Sequence, residues 1–278
     1  MQATDRLAVS PSFIYGTAWK KEATTQLVID AVEAGFTAID TANQLVHYDE
    51  ARVGEALQIL AARGIAREKL YLQTKFTPIN GQDSRLPYDA HAPLATQVKQ
   101  SFESSLGHLH TDRLDAYLLH GPYYRRGLGN EDWEVWGAME GLYDSGRTRM
   151  IGVSNVSADQ LTELCERATQ KPMVVQNRCY AALGWDKDVR DICRVQGIVY
   201  QGFSLLTANR EIFLTSDLRE LAAKYGVGPA QIVFRFAMQI GMVPLTGTTS
   251  RQHMKDDLQS DRFTLSAEEL RRIESIGL

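Results

Sequence analysis

The chain has 278 residues, of which 44% are hydrophobic and 23% charged, with a formal net charge of −4; this is the composition of a soluble globular protein. The mild negative charge argues against nucleic acid or an anionic membrane surface as partner, no apolar run reaches the ~18 residues of a bilayer span, and "MQATDRLAVSPSF" lacks the charged start and apolar stretch of a signal peptide. Three cysteines, Cys165, Cys179 and Cys193, odd in number and without a C-x-x-C pair, read as reduced thiols of a cytoplasmic protein.

Eight short apolar runs alternate with stretches of helical spacing. "FIYGT" (13–17) ends on Gly16 and Thr17 and leads into "TTQLVIDAVEAG". "FTAID" (36–40) ends on Asp40; a loop with His47 and Tyr48 side by side follows, then "DEARVGEALQILAARG". "LYLQTK" (70–75) ends on Lys75 before "PLATQVKQSFESSLGHL", and "LDAYLLH" (114–120) ends on His120 before "DWEVWGAMEGLYDSG". "MIGVS" (150–154) delivers Ser154 and Asn155 ahead of "SADQLTELCERAT". "MVVQN" (173–177) delivers Gln176 and Asn177 ahead of "DKDVRDICRVQG". "IVYQGF" (198–203) ends on Phe203 and Ser204, followed by a double helical stretch over 216–241. "MVPLTG" (242–247) ends on Gly247 and Thr248.

Continuously apolar strands between amphipathic helices predict a parallel sheet covered on its outside, and eight such units predict a (β/α)8 barrel as a single domain over 1–278. A doubly wound open sheet is the competitor. It wants a glycine-rich phosphate turn after an early strand, and "GVGPAQ" (226–231) lacks the third glycine.

In a parallel barrel the chemistry sits at the carboxyl ends of the strands. Three consecutive strands end in an ionisable group, Asp40, Lys75 and His120, each after an apolar run where an unpaired charge is costly to desolvate. Lys75 beside Asp40 predicts a water-shielded ion pair. A nearby ammonium favours a phenolate, which would lower a tyrosine pKa from about 10 towards the range of an acid catalyst. His120 suits a hydrogen bond to a carbonyl oxygen. Ser154, Asn155 and Gln176 suit a carboxamide, and Phe203 offers a ring face for stacking. Gly247, Thr248, Thr249 and Ser250 precede a helix, which suits either an anion site or plain N-capping. His108 and His110 form an H-x-H pair in a polar helix-end region and read as solvated, so no metal site is expected.

Taken together, "FIYGTAWK", "GFTAIDTA…DEARVGEAL", "LYLQTKF", "LDAYLLHGP", "IGVSNVSADQL", "VVQN" and "PAQIVFRFAMQIGMVPLTGTTSRQHMKDDL" resemble the aldo-keto reductase superfamily over nearly the whole chain. The resemblance implies an NADP(H)-binding barrel and a catalytic tetrad on Asp40, Tyr48, Lys75 and His120. The implied reaction is reduction of a small-molecule aldehyde or ketone, with Tyr48 as proton donor. It places a cofactor site at Gly16, Thr17 and Asp40, with the carboxamide at Ser154, Asn155 and Gln176. Phe203 stacks on the nicotinamide, Ser204 and Leu206 line the pyrophosphate, and Gly247 to Ser250 with His253, Asp256 and Asp257 meet the adenosine phosphate. A monomer or weak homo-oligomer is expected.

Three departures from the family pattern stand out. The loop after Asp40 is two residues longer, so counting back from Glu50 selects His47 as proton donor while chemistry selects Tyr48. Leu245 and His253 stand where many members carry a lysine and an arginine, so the preference for NADP(H) over NAD(H) is open. The chain stops at Leu278, so an open pocket bordered by Trp19, Tyr123 and Tyr124 is expected. Two rivals remain: a nucleotide-binding regulatory subunit with little turnover, and a barrel enzyme using Lys75 as a Schiff-base amine, which Asp40 opposes by keeping that lysine protonated.

Overall fold

The structure, a computed structural model, describes residues 10–276. The segment read above for a leader lies largely outside them, as does Leu278. The strands are β1 (Ile14–Gly16), β2 (Ala38–Asp40), β3 (Tyr71–Phe76), β4 (Ala116–Leu119), β5 (Ile151–Ser154), β6 (Val174–Arg178), β7 (Val199–Phe203) and β8 (Met242–Thr246). Each pairs in parallel with the next, and Tyr15 of β1 meets Thr246 of β8 to close the barrel. The expected (β/α)8 fold is the observed one.

The helices are α1 (Thr24–Ala34), α2 (Glu50–Ala62), α3 (Leu94–Leu109), α4 (Asn130–Asp144), α5 (Ala158–Arg167), α6 (Lys187–Gln196), α7 (Ser216–Tyr225), α8 (Pro229–Gln239), α9 (Arg251–Leu258) and α10 (Ala267–Glu274). Local chemistry sets their ends. The Asp49 carboxylate accepts from Arg52 N (3.2 Å) at the start of α2, and Ser157 and Ser266 form capping boxes at α5 and α10. The double stretch divides at Gly226, whose φ of 66° ends α7, and Pro229 opens α8. Among the described residues no helix is long and apolar enough to cross a membrane.

Strand side chains alternate between barrel interior and helix layer. Ile14, Ala38, Tyr71, Ala116, Leu118, Met150, Val174, Val199 and Leu245 form a small interior cluster. Tyr15, Ile39, Leu72, Tyr117, Val153, Val175 and Tyr200 face outward into the larger core beneath the helices. Counting on by two from the interior set gives Gly16, Asp40, Lys75, His120, Ser154, Gln176 and then Arg178, Phe203, and Gly247. The period of the strand therefore aims the predicted strand-end residues at one mouth. Each strand differs from expectation by one or two residues at one or both ends. Phe36 lies outside β2, its ring packed edge-on against Phe13 (5.4 Å). His120 stands one residue beyond β4, although its N–H still donates to Phe76 O (2.8 Å).

Candidate active site

A cavity of about 900 Å³ opens at the carboxyl ends of the strands. Beneath its catalytic end, the Lys75 ammonium donates to both oxygens of Asp40 (2.7 Å each) and to Thr41 O (2.8 Å). Lys75 is fully buried and Asp40 2% exposed. The Asp40 carboxylate also accepts from the amides of Gln73 (2.7 Å) and Gln176 (2.9 Å). Gln201 in turn exchanges amide bonds with Gln73 (2.9 Å each way) and accepts from Gln176 (2.9 Å). Paired strands place this ring, because Asp40 lies opposite Gln73 and Gln176 opposite Gln201. A buried ion pair with its remaining lone pairs satisfied is a rigid platform.

Over that platform stand two rings. The Lys75 ammonium is 5.2 Å from the centroid of the half-buried Tyr48, whose ring meets His120 edge-on at 5.8 Å. His47 lines the same cavity but turns to Trp19, centroid to centroid 4.0 Å. The turn that separates them is local: Gln44 O accepts from both His47 N (3.3 Å) and Tyr48 N (3.0 Å), and His47 O accepts from Trp19 N (2.6 Å). The His120 Nδ1 shares a hydrogen bond with the Thr77 hydroxyl (2.7 Å), leaving Nε2 uncommitted.

Burial governs the protonation of these groups. It lowers the pKa of Lys75, opposed by the Asp40 charge. It pushes His120 down to about 3, with the Lys75 and His47 charges acting in the same sense, so the imidazole is neutral. The sequence suggested that Lys75 lowers the Tyr48 pKa. The structure reverses that direction: burial raises it and the Asp40 charge adds to the rise, with only Arg178 acting against them. The lysine's charge is already neutralised by its carboxylate, so desolvation wins.

Gly16, Asp40, Ser154, Asn155, Gln176, Phe203, Ser204, Leu206, Gly247, Thr248, His253, Asp256 and Asp257 line the cavity. The Ser154 hydroxyl donates to Gln176 O (2.6 Å), and the Asn155 amide to His120 O (2.8 Å). Asn155 and Ser204 hold left-handed backbones, φ 54° and 57°, and so does Trp19 on the same wall, φ 63°. Such strain in non-glycine residues collects at sites where geometry matters more than local comfort. Burial lifts Asp257, which accepts from the Thr246 hydroxyl (2.8 Å), to about 6.

Several expected residues stand elsewhere. Thr17, Thr249 and Ser250 are not on the cavity wall. Thr17 bonds Asp40 O (2.9 Å), and Ser250 caps α9 by accepting from His253 N (3.3 Å), so its hydroxyl does the bland task. Trp19 borders the cavity, but Tyr123 and Tyr124 do not; the Tyr124 hydroxyl donates to Glu131 (3.0 Å). His108 sits beside the Glu50 carboxylate (3.2 Å). Sequence reasoning missed Gln73, Gln201, Thr77, Lys20 and Arg178. For Gln73, Gln201 and Arg178 the signal was available: each lies two residues from a named site residue on the same strand face. Lys20 also lines the cavity and donates to Gly247 O.

Comparison with known proteins matches this picture. The model of the aldo/keto reductase family covers residues 13–277. The chain is 30% identical to a glyoxal reductase of Bacillus subtilis, covering 91% of this chain and 83% of that one. It is 30% identical to an NAD/NADP-dependent indole-3-acetaldehyde reductase of Schizosaccharomyces pombe, covering 96% and 91%. Among solved structures, a Bombyx mori aldo-keto reductase in complex with NADP superposes with a TM-score of 0.79 at 26% identity, covering 95% and 88%. With fold and relatives in agreement, the chain belongs to the aldo/keto reductase family of oxidoreductases.

Proposed function

We propose that this protein reduces an aldehyde or ketone to an alcohol with NADPH as hydride donor and Tyr48 as proton donor. The observation that carries the reading is the stacking of Tyr48 over the Lys75–Asp40 pair beside a neutral His120, at one end of a cavity lined by amides and an aromatic ring. That lining suits a nicotinamide dinucleotide: amide and hydroxyl groups at Ser154, Asn155 and Gln176 for the carboxamide, Phe203 for the ring, and Gly247, Thr248, His253, Asp256 and Asp257 at the far end for the adenosine. When bound, the cofactor supplies the hydride that the carbonyl carbon accepts.

The chain's own residues do the rest. The Nε2–H of neutral His120 donates to the carbonyl oxygen and fixes its place, with Nδ1 held by Thr77. A raised phenol pKa keeps the Tyr48 proton in place until charge builds on that oxygen. The proton then passes from the phenol to the developing alkoxide. The phenolate left behind lies within reach of the Lys75 ammonium, which Asp40 keeps charged and immobile. Residues of this kind act where charge develops, so the platform favours the transition state over the bound carbonyl.

The test is NADPH oxidation with a panel of aldehydes, α-ketoesters and pyridoxal, repeated with NADH. Turnover is expected, and Tyr48→Phe is expected to lower kcat by about 10²–10⁴-fold while cofactor affinity survives. His47→Ala is expected to keep most of the activity. The reverse pattern between these two variants moves the proton donor to His47. Tight NADPH binding with no oxidation by any carbonyl overturns the reductase reading in favour of a nucleotide-binding regulatory protein.

A further inference from the structure

At the catalytic end of the cavity the charges do not balance. Asp40 is saturated by Lys75, Gln73 and Gln176, and burial keeps His120 neutral. Arg178, an exposed side chain at the mouth, lines the same wall, and among the described residues no carboxylate pairs with it. Its place is set by β6: it lies two residues beyond Gln176 on the inward face and directly opposite Phe203 in the strand register. The guanidinium lies over the Phe203 ring, 5.3 Å from the centroid. It is close enough to Tyr48 for its charge to act on the phenol. Lys20, the other cation on the cavity wall, is held at the β8 end by Gly247 O.

A cation–π contact at an open mouth is weak, whereas a guanidinium forms its strongest contacts with planar anions, two parallel N–H donors to two oxygens. A cation left without a carboxylate, one layer above the reacting groups, is complementary to an anion arriving with the substrate. We propose that Arg178 recognises a carboxylate carried by the carbonyl substrate, so that the substrate class is aldehydes and ketones bearing an acid group on the same molecule. The inference rests on the reductase reading given above.

The test compares 4-carboxybenzaldehyde with its methyl ester, two substrates alike in ring and aldehyde and different in charge. The ratio of their kcat/KM values is measured with NADPH for the native chain, Arg178→Gln and Arg178→Lys, together with NADPH affinity. The ratio is expected to fall about 30-fold in Arg178→Gln, the size of a lost charge-assisted contact, and to recover in part in Arg178→Lys, which keeps the charge without the fork. A ratio unchanged within about threefold overturns the proposal, and a parallel loss of NADPH affinity then assigns the guanidinium to a cofactor phosphate. If no carbonyl is reduced at all, the reductase reading fails separately. Equilibrium binding of terephthalate to the native chain and Arg178→Gln then decides: loss of binding in the variant supports the carboxylate site, and equal binding overturns it.

Discussion

Asp40→Asn offers a quantitative probe of the platform under Tyr48. The substitution leaves the Lys75 ammonium, fully buried, facing one amide oxygen and the Thr41 carbonyl. Removing one partner of a buried ion pair costs about 3–5 kcal/mol. The structure also supplies an escape: burial already lowers the lysine pKa from 10.5, and without Asp40 only the weaker influence of the Glu50 charge opposes that fall. Losing that proton costs about 1.4 kcal/mol for each pH unit below 10.5, hence about 5 kcal/mol at pH 7 and about 2 kcal/mol at pH 9. These set the ceiling on the damage. In the variant the folded-state pKa lies below the unfolded one, so between the two the unfolded chain binds the extra proton and stability rises with pH. Urea unfolding followed by tryptophan fluorescence, at pH 7 and pH 9, is expected to show the gap to the native protein narrowing by about 1–3 kcal/mol. Asp40→Leu with Lys75→Met, which removes both charges, is expected to show no such narrowing. A gap that is equal at the two pH values, or wider at pH 9, refutes the claim that desolvation of Lys75 is the dominant cost.

His120 gives a window of the same sign at lower pH. Its folded pKa of about 3 lies below the ordinary 6.5, so its contribution is intact above pH 6.5 and is lost as pH falls towards 3; about 2 kcal/mol should disappear between pH 7 and 5, and His120→Gln should flatten that part of the pH–stability curve. Gly152 in β5 lies so close to β6 that an added Cβ would fall inside contact distance of the Val174 carbonyl oxygen. Gly152→Ala should therefore cost about 3 kcal/mol in urea unfolding, whereas Gly137→Ala, on an exposed turn of α4 with nothing within 4 Å, should gain up to about 1 kcal/mol.

What could be read from the sequence and what could not divide along a physical line. Asp40, Lys75 and His120 were legible because each is an ionisable group ending an apolar run, an arrangement that one-dimensional patterning exposes. Gln73 and Gln201, although two residues from Lys75 and Phe203 on the same face, are easily overlooked because a polar residue inside "LYLQTK" or "IVYQGF" looks like the solvent face of a strand; in this closed barrel they turn inward and bond to one another. The direction of the Tyr48 pKa was misjudged for a related reason. Proximity to Lys75 is written in the family pattern, but desolvation depends on everything packed around the ring, and Asp40 already neutralises the lysine. Arg178 was passed over because "QNRCY" reads as a strand running out into a loop, whereas the register with β7 keeps it on the inward face against Phe203.

The same limit explains the ambiguity between His47 and Tyr48. Counting residues assumes an extended loop whose length maps onto distance. In this loop Gln44 O collects two successive N–H groups, so the chain coils and the two extra residues add almost no reach. Adjacent residues on such a coil point apart: His47 goes to Trp19 at the rim, and Tyr48 goes inward over Lys75. An insertion that coils can lengthen a loop without moving the side chain at its end, and Trp19, whose N–H fastens the coil through His47 O, is the residue that holds it in that form.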